Sequence, residues 1–393
     1  MPSCGQPVLF VERHHRRRGA RDVKCGVVWN TLGARILAGL AESVKRFRKH
    51  FPSPRYAVRM SRRTTIQDVA AAAGVSVSTV SKAVNGRYGI SSETTRRVLE
   101  VVQELGYESS LIASSMRSRR TGVIGVLVAD FEPFSAEILK GVASALHDSR
   151  LDLLAYSASR QHEGAGWEQR SLSRLSGTLI DGAIIVTPTV IGVNTEVPIV
   201  AVDPHTGRAD LPTVESDSFG GAMQATTHLI ELGHTRIAFV SGRPDLRSSV
   251  LRDAGYRRAL EVARIPFDPS LVRVGLYESE TARSTAASLL SSPNRPTAVF
   301  AANDLSAIAI IQTAAELGLE VPGDLSVIGF DDVPEASRLT PPLTTIRQSM
   351  QTMGAAAAGL LVQLMNGETP DTTHIRLPTR LVRRATTAPP RAD

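Results

Sequence analysis

Acidic and amide side chains recur in this chain at the ends of short apolar runs. Asp130 follows Val123 to Ala129, Asp203 follows Pro198-Ile-Val-Ala-Val, Asn303 and Asp304 follow Ala298-Val-Phe-Ala-Ala, and Asp331 and Asp332 follow Ser326-Val-Ile-Gly-Phe. Carboxylates supply acceptors and an amide supplies both donor and acceptor, a set suited to a hydroxyl-rich small molecule. Any one such acid alone is more often a helix cap or loop contact, and Asp304 and Asp332 are expected in that role. The recurrence argues for a shared binding site. Catalytic constellations are missing from the sequence: there is no phosphate-binding glycine loop, no HExxH and no GxSxG. His147, His162, His205, His228, His234 and His374 are scattered, and His234, which follows the helix-ending Gly233, is expected to be structural. The expectation is a binding protein, not an enzyme, with no cofactor and no metal.

The elements that would position these residues begin at Gly122, where apolar runs alternate with amphipathic stretches. Strands are expected at Val123 to Ala129, Leu151 to Ser157, Ala183 to Thr187, Ile199 to Val202, Ile237 to Ser241, Ala298 to Ala301 and Ser326 to Phe330. Helices are expected at Ala136 to His147, Gly220 to Leu232, Ala254 to Ala263, Leu305 to Leu317 and Met350 to Met365. This alternation predicts an α/β body of two lobes with parallel, doubly wound sheets, in which ligands bind beyond the carboxyl ends of the strands. Trp167 lies among polar neighbours and receives no role.

Ahead of the body, Thr65 can cap a helix carrying Ile66, Val69, Ala70 and Ala73 on one stripe, closed by Gly74 in the left-handed conformation. Ser76 starts a second helix with Val77, Val80, Ala83 and Val84, ending at Asn85-Gly86. A third runs from Ser91 or Ser92 with Val98, Val101, Val102 and Leu105 at helical spacing and Gly106 as its stop. Three short helices with a tight first turn predict a helix-turn-helix unit. On the second helix Val77 suits a thymine methyl, Ser78 a base edge, and Thr79, Ser81 and Lys82 phosphates or bases. With Thr65, Ser76 and Asn85 these form the candidate DNA-contacting set.

Charge supports that division. Residues 1–59 hold 13 Lys+Arg against 3 Asp+Glu, residues 60–121 hold 9 against 5, and residues 122–393 hold 23 against 30, so a phosphate-seeking surface belongs to the first third. Residues 1–59 read as a disordered extension or a misassigned start, with translation beginning at Met60; a basic DNA-binding arm is the alternative. Cys4 and Cys25 are the only cysteines and no apolar run approaches membrane-span length, which points to a cytoplasmic protein without membrane contact.

The run Thr65-Ile-Gln-Asp-Val-Ala-Ala-Ala-Ala-Gly-Val-Ser-Val-Ser-Thr-Val-Ser-Lys-Ala-Val-Asn-Gly resembles the opening of the LacI (lactose repressor) family. The resemblance extends to Thr386 through Gly233-His-Thr-Arg-Ile-Ala-Phe-Val-Ser-Gly, Arg252-Asp-Ala-Gly-Tyr, Ala302-Asn-Asp, Val321-Pro-Gly-Asp-Leu-Ser-Val-Ile-Gly-Phe-Asp-Asp and Pro341-Pro-Leu-Thr-Thr-Ile. It implies a helix-turn-helix domain at 60–108, a hinge at 109–121 and a periplasmic-binding-protein-like body at 122–386. Met116 would stand where a minor-groove wedge, usually leucine, is expected. It implies further that Asp203, Arg252, Asn303 and Asp331 contact the effector, with Asp130 and Phe134 in the first-strand loop. Val250 stands where many relatives carry an arginine, which disfavours an anionic ligand.

Crossings between lobes are expected near Ala222, Thr345 and Ile375, giving one lobe of about 122–222 with 346–374 and another of about 223–345 with 375–386. The functional expectation is a homodimeric repressor of carbohydrate-use genes on a pseudo-palindromic double-stranded operator, controlled by a sugar between its lobes. Two alternatives remain: a solute-binding protein of a sugar transporter, which would have no use for residues 65–121, and a regulator that needs a nucleobase corepressor.

Overall fold

The computed structural model describes residues 64–84, 88–105, 120–158, 166–188, 197–204 and 211–391. Asn85, Met116 and residues 1–59 lie outside the described residues.

Helices α1 (Ile66–Ala73), α2 (Val77–Val84) and α3 (Ser92–Glu104) form the amino-terminal unit. Thr65 caps α1 in a reciprocal box: its hydroxyl accepts from Asp68 N while the Asp68 carboxylate accepts from Thr65 N at 2.8 Å. Gly74 ends the helix at φ +64°, where a side chain would strain the backbone, and α2 can therefore start three residues later. Val69, Ala70, Ala73, Val80, Ala83 and Val98 make the small core. Leu105, expected to join it, is 39% exposed, because it sits at the C-cap of α3 beyond the last packed turn.

The body holds two six-stranded sheets. The first comprises β1 (Val123–Val128), β2 (Asp152–Ser157), β3 (Gly182–Val186), β4 (Ile199–Val202), β5 (Thr213–Ser216) and β11 (His374–Leu377), in the order β11-β5-β4-β3-β1-β2 with every pairing parallel. The second comprises β6 (Ile237–Ser241), β7 (Val272–Val274), β8 (Ala298–Ala301), β9 (Ser326–Asp331), β10 (Thr344–Arg347) and β12 (Arg380–Val382), in the order β12-β10-β9-β8-β6-β7. Only β12 runs antiparallel. The central strands are buried on both faces and read as continuous apolar runs, which is why they were legible in sequence. The order reverses beside β1 in one sheet and beside β6 in the other, opening a crevice at each switch point.

Helices α4 (Pro133–Ala145), α5 (Trp167–Leu175) and α11 (Met350–Met365) cover the first sheet. Helices α6 (Ser218–Glu231), α7 (Arg247–Val262), α8 (Ser279–Leu290), α9 (Asp304–Glu316) and the short α10 (Pro334–Arg338) belong to the second. α4 and α11 meet backbone to backbone: a Cβ on Gly141 would lie 2.0 Å from Gln351 O, and one on Gly354 would lie 2.2 Å from Ile138 O.

Three sequence expectations need correction. Trp167 is a core residue, 3% exposed and packed with Leu172, Leu175 and Ile180, because α5 turns its apolar stripe onto β1 and β3. Strands β5, β7, β10, β11 and β12 carry too short a pattern to be legible in sequence, being three or four residues long and lying toward the sheet edges. The same short strands move the crossings: the chain changes sheets at Asp217, after Arg347 and after Leu377, a few residues from Ala222, Thr345 and Ile375.

Candidate functional site: an inter-lobe cleft and a helix-turn-helix

The carboxyl ends of the two sheets face a common cavity of about 200 Å³. Asp130, Phe134, Asp203, Arg252, Asn303 and Asp331 all line it. Each reaches it by a different route. Asp130 follows β1, Asp203 follows β4, Asn303 follows β8 and Asp331 ends β9, while Arg252 projects from the second turn of α7 and Phe134 from the first turn of α4.

Arg252 is the electrostatic centre. Its guanidinium is buried, donates through Nη1 to Ala302 O, lies 3.7 Å above the Phe330 ring and stands 4.0 Å from Asp331 Oδ1. Its Nε has no partner among the described residues. A buried, unpaired N–H is costly, and this one is shut away from solvent, so a ligand would meet the guanidinium through its other N–H groups. Asp203 accepts from Ser248 Oγ at 3.0 Å, and that hydroxyl lies 3.2 Å from Tyr277 Oη. Asp331 accepts from Gln348 Nε2 at 2.6 Å.

Burial raises the carboxyls of Asp203, Asp331 and Glu132 above their ordinary range, with Arg252 pulling the first two back down. Asp331 reaches about 7, pushed further by Glu132 and Asp203. Burial also raises the Tyr277 hydroxyl.

Backbone strain collects at the same place. Among the described residues, Thr187, Asp203, Leu276, Tyr277 and Asp331 are non-glycine residues at positive φ that line the cavity, Asp331 at +121°. Such conformations cost free energy and persist where a binding site demands a particular side-chain direction.

Asn303 caps α9, accepting from Ser306 N through Oδ1, and donates Nδ2 to Tyr277 O. Its amide therefore holds the wall of the cavity as well as lining it. Asp304 and Asp332 fill structural roles. Asp304 accepts from Val333 N and Thr345 Oγ1, and Asp332 binds Arg347 and Arg384. His234 is structural too, bridging Thr297, Ser326 and Ala388 O.

Glu132, Arg243, Tyr277, Glu278 and Gln348 also line the cavity and were missed. Gln348 and Tyr277 sit in connections that carry no periodic signal. Glu132 was findable: an acid directly before Pro133 marks a helix N-terminus, and its carboxylate accepts from Phe134 N and Ser135 N.

In the amino-terminal unit, Ser76 caps α2 by accepting from Thr79 N. Val77, Ser78 and Lys82 are exposed, Thr79 and Ser81 are half-buried, and Val80 and Ala83 face the core. The outer face of α2 is thus small, polar and basic, the shape a major groove admits. Thr65 is committed to its capping box.

A two-lobed ligand-binding body joined in one chain to a helix-turn-helix defines a DNA-binding regulator controlled by a small molecule. Residues 65–110 match the family described as "Bacterial regulatory proteins, lacI family", and residues 226–387 match a periplasmic binding protein-like domain. The HTH-type transcriptional repressor PurR of Aliivibrio fischeri (strain MJ11) is 35% identical over 311 residues, covering 76% of this chain and 91% of the relative. A solved transcriptional regulator CelR–cellobiose complex is 32% identical with TM-score 0.60, covering 82% of this chain and 100% of that one. The lac repressor dimer bound to operator and the anti-inducer ONPF is 28% identical with TM-score 0.72, covering 83% and 100%. The chain belongs to the LacI family of bacterial transcription regulators, which makes it an effector-controlled regulator and not an enzyme.

Proposed function

We propose that the chain is a homodimeric repressor whose hold on a pseudo-palindromic operator is set by a sugar-like effector in the inter-lobe cleft. The observation that carries this reading is the convergence of Asp130, Asp203, Arg252, Asn303 and Asp331 on one strained, polar cavity beside the half-buried Phe134 ring. Carboxylates and a guanidinium fork can hydrogen-bond several hydroxyls while the ring covers an apolar sugar face. The likeness to the CelR–cellobiose complex supports a carbohydrate.

On DNA, Val77, Ser78, Thr79, Ser81 and Lys82 of each subunit would enter successive major grooves about 34 Å apart. Ser76 and Thr65 would set the helix ends, and Asn85 and Met116 would extend the contact. Ligand would shift the relative population of lobe arrangements, and coupling cannot exceed its differential affinity for them. The test is gel retardation with DNA from upstream of the protein's own gene at fixed salt, titrated with mono- and disaccharides. A specific shift that a sugar relieves supports the reading. No shift under any condition refutes it.

A further inference from the structure

We propose that the cleft is built for a cationic, hydroxyl-bearing effector, an amino sugar, and that Glu132 selects its ammonium group. This deepens, and rests on, the reading of the cleft as the effector site. Five carboxylates line the cavity, those of Asp130, Glu132, Asp203, Glu278 and Asp331, against the guanidiniums of Arg243 and Arg252. Arg243 is committed to Asp245, with Nε 3.1 Å from Oδ1 and Nη2 2.5 Å from Oδ2. Five acids therefore face two guanidiniums, one of them already paired.

The donor inventory agrees with the charge. Asn303 Nδ2 gives one of its two hydrogens to Tyr277 O, Gln348 Nε2 gives one of its two to Asp331, and the Ser248 hydroxyl gives its only one to Asp203. The Arg252 guanidinium donates to Ala302 O through Nη1 and keeps further N–H groups without a hydrogen-bond partner among the described residues, of which Nε is shut away from solvent. The five carboxyl groups still offer more acceptor sites than the remaining guanidinium and amide N–H groups offer donors, which favours an occupant rich in donors. A hydroxyl brings one donor with two lone pairs, whereas an ammonium brings three donors and no lone pair. An anionic occupant would meet carboxylates at nearly every wall.

Glu132 is singled out because it makes no ion pair among the described residues. Arg252 pulls on Asp203 and Asp331, but the groups that act on Glu132 are the Phe134 and Ser135 amides, the Ser135 hydroxyl and the like charge of Asp130. The two amides of the α4 N-terminus fix its position, and burial opposes its ionised form, a penalty that a bound cation would relieve. The Arg252 guanidinium then supplies the donor for a hydroxyl oxygen on the same ligand. Together these features describe a pocket reading one positive end and one hydroxylated end.

The experiment is calorimetric titration of the full-length protein, at neutral pH, with D-glucosamine, D-galactosamine and D-mannosamine. Each is paired with its parent hexose and its N-acetyl derivative. We expect one amine to bind at least about tenfold tighter than its neutral counterparts, as charge-assisted hydrogen bonds exceed neutral ones. That preference should collapse in Glu132→Gln, which retains an acceptor for the helix cap; unchanged thermal unfolding of the ligand-free variant checks its fold. A parent hexose binding as tightly as its amine overturns the cationic assignment and leaves the effector reading standing. Retention of the preference in Glu132→Gln overturns the role of Glu132. If neither these nor neutral disaccharides bind, the cleft reading falls with the proposal.

Discussion

Replacing Asp331 with Asn tests whether the cleft stores free energy for ligand binding. Burial holds the Asp331 carboxyl at about 7 instead of 3.8, so the folded protein binds this proton more tightly than the unfolded chain does. Its contribution to stability is therefore fully present below 3.8 and is lost as pH rises through about 7. At 1.36 kcal/mol per pH unit, the displacement sets a ceiling of about 4 kcal/mol on the cost of the ionised group. Asn keeps the shape, retains an acceptor for Gln348 Nε2 and tolerates positive φ better than most residues, but it cannot ionise.

Urea unfolding of the ligand-free protein at pH 5.5 and 8.5 should show the Asn variant gaining on the parent by about 1–2 kcal/mol across that interval. Calorimetry should show weaker effector binding by the same variant. If the stability difference between the two proteins is independent of pH, Asp331 is not a strained buried acid and the electrostatic account of the cleft is wrong.

Lys82→Ala should weaken operator binding by roughly tenfold or more while leaving effector-induced thermal stabilisation intact, as read by gel retardation and differential scanning. Arg252→Ala should do the reverse, abolishing the effector response while operator binding persists, although loss of a buried charge partner should also lower the melting temperature. Gly141→Ala should destabilise the body by about 1–3 kcal/mol in chemical unfolding, since the new methyl must push Gln351 O from a 2.0 Å approach. His228 and His234 bind the carboxy-terminal segment through Thr387 Oγ1 and Ala388 O, and burial lowers both below the ordinary 6.5. Their contribution is present above 6.5 and lost as pH falls through their lower folded values, so acid should loosen that segment first, measurable as faster amide exchange at Thr387 and Ala388.

The sequence by itself determined the elements whose signal is local. The α1 stripe with its Thr65 cap and Gly74 stop, the exposed face of α2, and the double-sided apolar runs of β1, β3, β4, β8 and β9 follow from periodicity and capping over a few residues. The acids at strand ends were legible for the same reason, because a parallel strand delivers the residue after its last apolar position to the ligand edge. Tertiary structure alone decided what depends on contacts distant in sequence. The short strands β5, β10, β11 and β12 exist because neighbouring strands supply their hydrogen bonds, and the lobe crossings move with them. Trp167 is core because α5 lies on β1 and β3. The charge balance of the cleft, with Arg252 shared between Asp203 and Asp331 and Glu132 without an ion pair among the described residues, arises only when two sheets bring residues more than a hundred positions apart into one cavity, where exclusion of water makes every unpaired charge costly.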